Sequence, residues 1–456
     1  MNDRKRPLSE FSQNYLRYEY DEARKSFHHN FNQDCHAIVI WENARHKESQ
    51  ILEDLRKRFD VRYMAEIHWS WEEIANNFQR LYGKLPNKNQ DKDVFHGRAK
   101  KVGAGPFILI IVEDKNPIYF YEQTWSGKYE LVNSNITAAK ADYRAWTGGG
   151  YNVHSSNSLG EAIRDSTLLL GGDKIQTILS SSTNSNDIEV IYKDLEGYDG
   201  WHSSRHLFQT LNLTSNYVVL RSYENLLDNL VNSLEVDILS NARQELISTL
   251  NGMLLRHDKG KSKSRIRIKS HYIKFDIRHI GDGYMDEKWQ KDILQRSQIS
   301  EKIINIPRDD DYFFSLLYHA KIHKPAVKHE HLQRLKRLWE QIGRDRYQNI
   351  DEQNFLDDTS AAQILGGYLA AEGYDIPKPV DKKVQLNRKF IKQVKQVKPY
   401  ARVFSASYSM RTKIKTYLKK AFKKCLKIIP PLYNFIQKIT ASIKQANKKN
   451  NTKLHG

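Results

Sequence analysis

The basic residues of this chain are segregated, and that constrains the fold more than any other feature. Of its 73 Lys and Arg, 21 fall within 382–456, a stretch with no Asp or Glu. That leaves 52 basic against 54 acidic residues in the first 381, so the tail carries the whole net charge of +19. The body is long enough for two or three domains, and the tail points to an anionic partner. Two cysteines, Cys35 and Cys425, supply neither a disulfide framework nor a zinc cluster, so a reducing compartment is expected. The polar residues 1–10 lack the apolar run of a signal peptide. No stretch reaches the ~18 apolar residues of a membrane span. The expectation is a cytoplasmic protein, peripheral on the inner face of the membrane.

The body reads as an α/β (α+β) chain. A polar arm, 1–33, precedes a first module over 34–179. Apolar runs at 36–41, 61–69 and 106–113 read as strands. Amphipathic stretches at 47–59 and 71–82 read as helices, the second capped by Ser70 with Glu73 three residues on. The Ser/Asn-rich 180–199 reads as a linker. A second module over 200–376 shows strands at 217–220, 234–239, 266–269 and 272–277, a helix at 241–255, a basic turn at 259–265 and a helical part from 311. The basic tail fills 377–456.

In the first module, Gly148-Gly149-Gly150 precedes Asn152, His154, Ser156 and Glu161. The triplet lets backbone approach a ligand closely, and an imidazole among hydroxyl and amide donors suits phosphate chemistry. Together with the element order, with Lys140 and with Arg144, this region resembles the nucleoside-diphosphate kinase family, whose domain is ferredoxin-like. The resemblance implies that His154 accepts a phosphoryl group. Lys140, Arg144 and Asn152 would contact phosphate or nucleotide, and Ser156 would support the histidine. Trp41 stands where that family presents a Lys, and Tyr151 where it presents an Arg.

In the second module, Glu235 and Asp237 alternate with Leu234, Val236 and Ile238, which places both acids on one strand face. Asp276 stands between apolar neighbours on a later strand. Three converging carboxylates are the hard oxygen ligands of a Mg²⁺ (or Mn²⁺) site acting on phosphate. The pattern resembles the nucleotidyltransferase superfamily, a mixed sheet with an appended helical half. There Arg221-Ser222 occupies the place of a Gly-Ser triphosphate contact, Asp237 and Asp276 would be catalytic, and Glu235, Asp237 and Asp276 would bind the metal. His279, Asp282 and Asp286 read as a polar loop, His319 and His323 as a helix-surface pair, and 201–206 as a helix start.

In the tail, Ile414, Leu418, Phe422, Cys425 and Ile429 recur at helical spacing among lysines. With 18 Lys to 3 Arg, it reads as an amphipathic segment for an anionic membrane surface rather than for nucleic acid. The combined expectation is a metal-dependent transferase. It would move a phosphate-linked group from a nucleotide-activated donor to a membrane-held acceptor, as in bacterial surface-polysaccharide or teichoic-acid-like assembly. The alternatives are an inactive nucleotide-binding interaction protein docked on membranes, and an RNA nucleotidyltransferase.

Overall fold

The computed structural model describes residues 34–85, 97, 99–123, 129–181, 187–224, 226–229, 235–300, 303–324, 329–342 and 354–397. The arm 1–33 and the amphipathic pattern beyond 397 lie outside the described residues, as does Leu234. The chain is a mixed α/β protein. It divides into two compact units, one drawn from 1–346 and 376–386, the other from 347–375 and 387–456. The first unit contains both principal sheets.

The first sheet is built from β1 (Cys35–Ile40), β2 (Asp60–His68), β3 (Phe107–Glu113), β6 (Val153–Ser155) and β7 (Ile188–Tyr192). A separate hairpin joins β4 (Tyr119–Gln123) to β5 (Tyr129–Asn133). The sheet order is β6-β1-β3-β2-β7, antiparallel throughout except for the parallel β2–β7 edge. Every residue of β1 is buried, because helices cover both faces. Ile38 and Ile40 pack on the side of α1 (Glu48–Arg58) and α3 (Ser134–Trp146), where Ile51, Leu55 and Tyr143 lie. Ala37 and Val39 face the side of α2 (Ile74–Leu81), α4 (Leu159–Leu170) and α5 (Gly172–Ser180). Each fully buried Ile or Val there contributes about 1.5–3 kcal/mol relative to exposure.

Two expectations change here. Ile188–Tyr192, expected as linker, is the fifth strand, paired with β2 from Met64↔Ile188 to His68↔Tyr192. Ser70 does not cap α2; its hydroxyl donates to Asp194 at 2.7 Å, and the helix begins at Ile74 without a side-chain cap.

The second sheet has the order β10-β11-β12-β9-β8. Its strands are β8 (Tyr217–Val219), β9 (Val236–Ser240), β10 (Met253–His257), β11 (Ser262–Ile268) and β12 (His271–His279). Only β9 and β12 run parallel. The helix expected over 241–255 stops early, as α7 (Arg243–Thr249). Asn251 adopts φ 53°, which ends the helix, and a Cβ on Gly252 would come within 2.9 Å of Ile266. The chain then returns as β10, and the expected basic turn is mostly strand β11. Helices α6 (Ser204–Thr214), α8 (Glu287–Gln295), α9 (Asp309–Ile322) and α10 (His329–Ile342) complete the unit. Ser203 caps α6 by accepting from His206 N at 3.1 Å, the helix start expected at 201–206.

In the second unit, α11 (Asp358–Glu372) is capped by Asp357 and closed by Gly373 at φ 71°, the left-handed stop that glycine adopts freely. Phe390 and Val394 are the buried residues of α12 (Arg388–Gln396). Among the described residues no helix is long and apolar enough to cross a membrane.

Candidate functional site: the charged face of the second sheet

Strand alternation divides the second sheet into an apolar and a charged face. Ile273, Phe275 and Ile277 of β12 are buried in the core, so Tyr272, Lys274, Asp276 and Arg278 share the opposite face. On β11 the same alternation buries Ile266 and Ile268 and turns Lys263, Arg265 and Arg267 outward from them. The parallel register places Asp276 directly opposite Asp237, and the antiparallel one sets Lys263 opposite Asp276. Adjacent strands lie about 4.8 Å apart, so the two carboxylates are lateral neighbours.

Four cations surround the acids. Arg221, just past β8, grips Asp237 bidentately, Nε to Oδ2 at 2.8 Å and Nη2 to Oδ1 at 3.0 Å. Burial opposes ionisation of Asp237, but Arg221, with Arg278 and Lys261, outweighs it and holds the carboxyl below its usual range. Lys261 Nζ donates to Asp276 Oδ2 at 2.6 Å. Asp258 sets that aim, since its Oδ1 accepts from the backbone N–H groups of Gly260 and Lys261. Lys263 pairs with Glu235 and stands 3.7 Å from Asp276 Oδ2. Asp276 is only 4% exposed, and its Oδ1 is buried with no donor among the described residues.

Behind this row lies a second layer. Arg278 bonds Asp282 at 3.2 Å and lies 3.4 Å from the centroid of the Tyr284 ring. Tyr284 is joined through its hydroxyl to His319 Nδ1. His319 and His323 are buried, not the surface pair expected; burial with nearby Arg221 holds both well below the usual imidazole range, and Arg278 adds to the effect on His323. Neither ring nitrogen of His323 has a hydrogen-bond partner among the described residues. Asp282 is likewise buried, accepting from Tyr284 N and Gln290 Nε2, while Asp286 caps α8. Ser222 takes the left-handed φ of 57°, the conformation glycine would supply. Its hydroxyl accepts from Arg334 at 3.2 Å.

The first-module residues meet a different fate. His154 lies on β6, 8% exposed, with Tyr82 edge-on at 5.3 Å and Asp165 Oδ2 at 3.2 Å from Nε2. Arg144 Nε donates to the Val153 carbonyl at 2.8 Å. Lys140 donates to the Ser155 carbonyl and Asn157 Oδ1, both at 3.1 Å, and Asn152 to the Thr147 carbonyl at 2.8 Å. Ser156 Oγ is joined to His36 Nδ1 and accepts from Ala37 N. Trp41 fills an aromatic cluster with Trp69, Phe78 and Phe107. Lys140, Arg144 and Asn152, expected to meet phosphate, instead bind backbone carbonyls of β6 and of the loop before it.

His154, Glu161 and Asp165 do converge, with ligating atoms within 4.8 Å of one another. Burial pushes Asp165 up to about 7 despite Arg164 beside it, and burial together with Asp165 raises Glu161. This set could hold a metal, but Asp165 is also bonded to Arg164 at 2.7 Å and Glu161 to Asn157 N at 2.6 Å. Asp165 was not singled out from sequence. The available signal was a carboxylate one helical turn after Glu161 in a leucine-rich stretch. The partner cations Lys261, Lys263 and Arg278 also went unread, although K-S-R-I-R-I and D-I-R show strand alternation. Comparison of the chain with protein families, with curated proteins and with solved structures returns no match, so the functional reading rests on this geometry.

Proposed function

We propose that the chain is a metal-dependent transferase acting on a phosphate-linked group, with its chemistry on the charged face of the second sheet. The observation that carries this is the Oδ1 of Asp276, buried beside Asp237 with no hydrogen-bond donor among the described residues. A buried carboxylate oxygen without a partner costs about 1–3 kcal/mol or more. A divalent cation would satisfy it, and two neighbouring carboxylates are hard oxygen ligands of the kind Mg²⁺ or Mn²⁺ takes. Asp237 and Asp276 would hold the metal, with Glu235 at its flank. When bound, the metal would neutralise charge on a phosphate under attack.

The chain's own residues do the rest. Lys261 and Lys263, now paired with the acids, are freed to face phosphate oxygens when a cation takes the carboxylates. Arg221 fixes the Asp237 rotamer. Arg278, held by Asp282 and Tyr284, adds positive potential in a partly buried setting where it acts strongly. The mixed sheet with its helices supports a nucleotidyltransferase-like reading of this module. The β6-β1-β3-β2 order supports a ferredoxin-like reading of the first, which we take as a scaffold rather than a kinase because its expected phosphate donors bind backbone carbonyls. The acid-free, lysine-rich 382–456 supports an acceptor at an anionic membrane face, as in surface-polymer assembly.

The test is turnover of nucleoside triphosphates and CDP-linked alditols by the full chain with Mg²⁺ or Mn²⁺. The reading requires metal-dependent release of the nucleotide product, lost in Asp276→Asn. Turnover by Asp276→Asn at the wild-type rate would refute it.

A further inference from the structure

A cleft of about 310 Å³ opens in the first unit where α2 and the 197–200 loop meet the far end of the charged sheet face. Its volume is that of a small-molecule site. Arg80, Lys84, Arg265 and Arg267 line it, against Asp199 as the acidic lining residue. Arg265, Arg267 and Lys84 form no salt bridge or side-chain hydrogen bond among the described residues. Arg80 is 2% exposed. Its Nε and Nη2 bind the carbonyls of Ser248, Glu196 and Thr249, while Nη1 is buried with no partner among the described residues. Burial, with Arg164 beside it, draws its pKa down to about 9. Two exposed tyrosines, Tyr198 at 41% and Tyr272 at 53%, supply aromatic faces.

We propose that this cleft binds a nucleotide, its phosphates on the unpaired cations and its base stacked on Tyr272 or Tyr198. Unpaired cations call for a polyanion rather than a neutral sugar, and solvent-facing aromatic rings beside them suit the π-face of a base. Tyr272 and Asp276 lie on the same face of β12, four residues or about 13 Å apart. The cleft and the paired carboxylates are therefore two stations on one surface. The inference deepens the transferase reading, and rests on it for naming the ligand as the donor's nucleotide.

The experiment titrates the full chain, in EDTA, with ADP, GDP, CDP and UDP and with inorganic pyrophosphate. At least one nucleoside diphosphate is expected to bind, with pyrophosphate weaker by about tenfold or more for want of stacking. Arg265→Ala/Arg267→Ala should weaken nucleotide binding by more than about tenfold, and Tyr272→Ala/Tyr198→Ala should erase the preference over pyrophosphate. All four side chains are exposed, so the variants should melt with the wild type. Absence of nucleotide binding, equal binding of pyrophosphate, or indifference to the arginine pair would each overturn the proposal. Failure of the transferase reading alone looks different: nucleotide binding intact in wild type and Asp276→Asn, with no turnover in either.

Discussion

The two sheets of the first unit spend their charged side chains in opposite ways. Around His154, Arg144 and Lys140 bond the carbonyls of Val153 and Ser155, and each of these bonds ties α3 to β6. Around Asp237, the cations bond carboxylates; among the described residues one carboxylate oxygen has no donor, and farther along the same face Arg265 and Arg267 form no ion pair. A donor bound to a backbone carbonyl stabilises the fold and has little left for a ligand. An acid bound to a cation can exchange that cation for a metal, which leaves the cation to a phosphate. Residue type at a motif position does not separate the two cases; the partner does.

The largest effect should come from Asp276→Asn, with turnover falling about a thousandfold, the several kcal/mol a metal ion contributes to such chemistry. Asp237→Ala should also abolish turnover. Because it leaves the partly buried Arg221 without its carboxylate, it should further cost about 1–3 kcal/mol in chemical denaturation. On the first sheet the sign reverses: His154→Gln should lower stability by about 1–3 kcal/mol and leave turnover unchanged. A thousandfold loss there would erase the contrast.

A pH series sharpens the comparison further. Burial raises the Asp165 pKa in the folded chain from 3.8 to about 7, so the folded state holds that proton more tightly than the unfolded one. Stability from this group is present below about pH 4 and is lost as pH rises towards about 7; in Asp165→Asn, melting should lack that decline. Smallest of all, Lys140→Met should cost about 0.5–1.5 kcal/mol, with nucleotide binding and turnover intact.

Much of the fold was legible, for physical reasons. The strands at 36–41 and 106–113 are continuous apolar runs because helices bury both faces of the sheet. By contrast, β7 lies at an edge, and Glu189, Val190 and Tyr192 are exposed, so it carried no burial signal. Strand β10 was absorbed into the preceding helix because its leucines continue the helical spacing. The stop at Asn251-Gly252 was the cue that mattered more. At the site, Asp237 and Asp276 were legible because a carboxylate between core residues must find a partner. Their face-to-face register was not, since a parallel pairing between strands separated by α7 and a hairpin leaves no local trace. Lys261 and Lys263 read as part of a basic turn; Lys261 does lie in the turn held by Asp258, whereas Lys263 is on β11 opposite Asp276.

The most direct measurement is Mn²⁺ binding to the full chain and to Asp276→Asn, followed by calorimetry and by the paramagnetic signal of free Mn²⁺. The account predicts saturable binding in the wild type, weakened at least tenfold, about 1.4 kcal/mol, in a folded Asp276→Asn, and unchanged in His154→Gln. Equal binding in wild type and Asp276→Asn, or binding lost in His154→Gln instead, would contradict it.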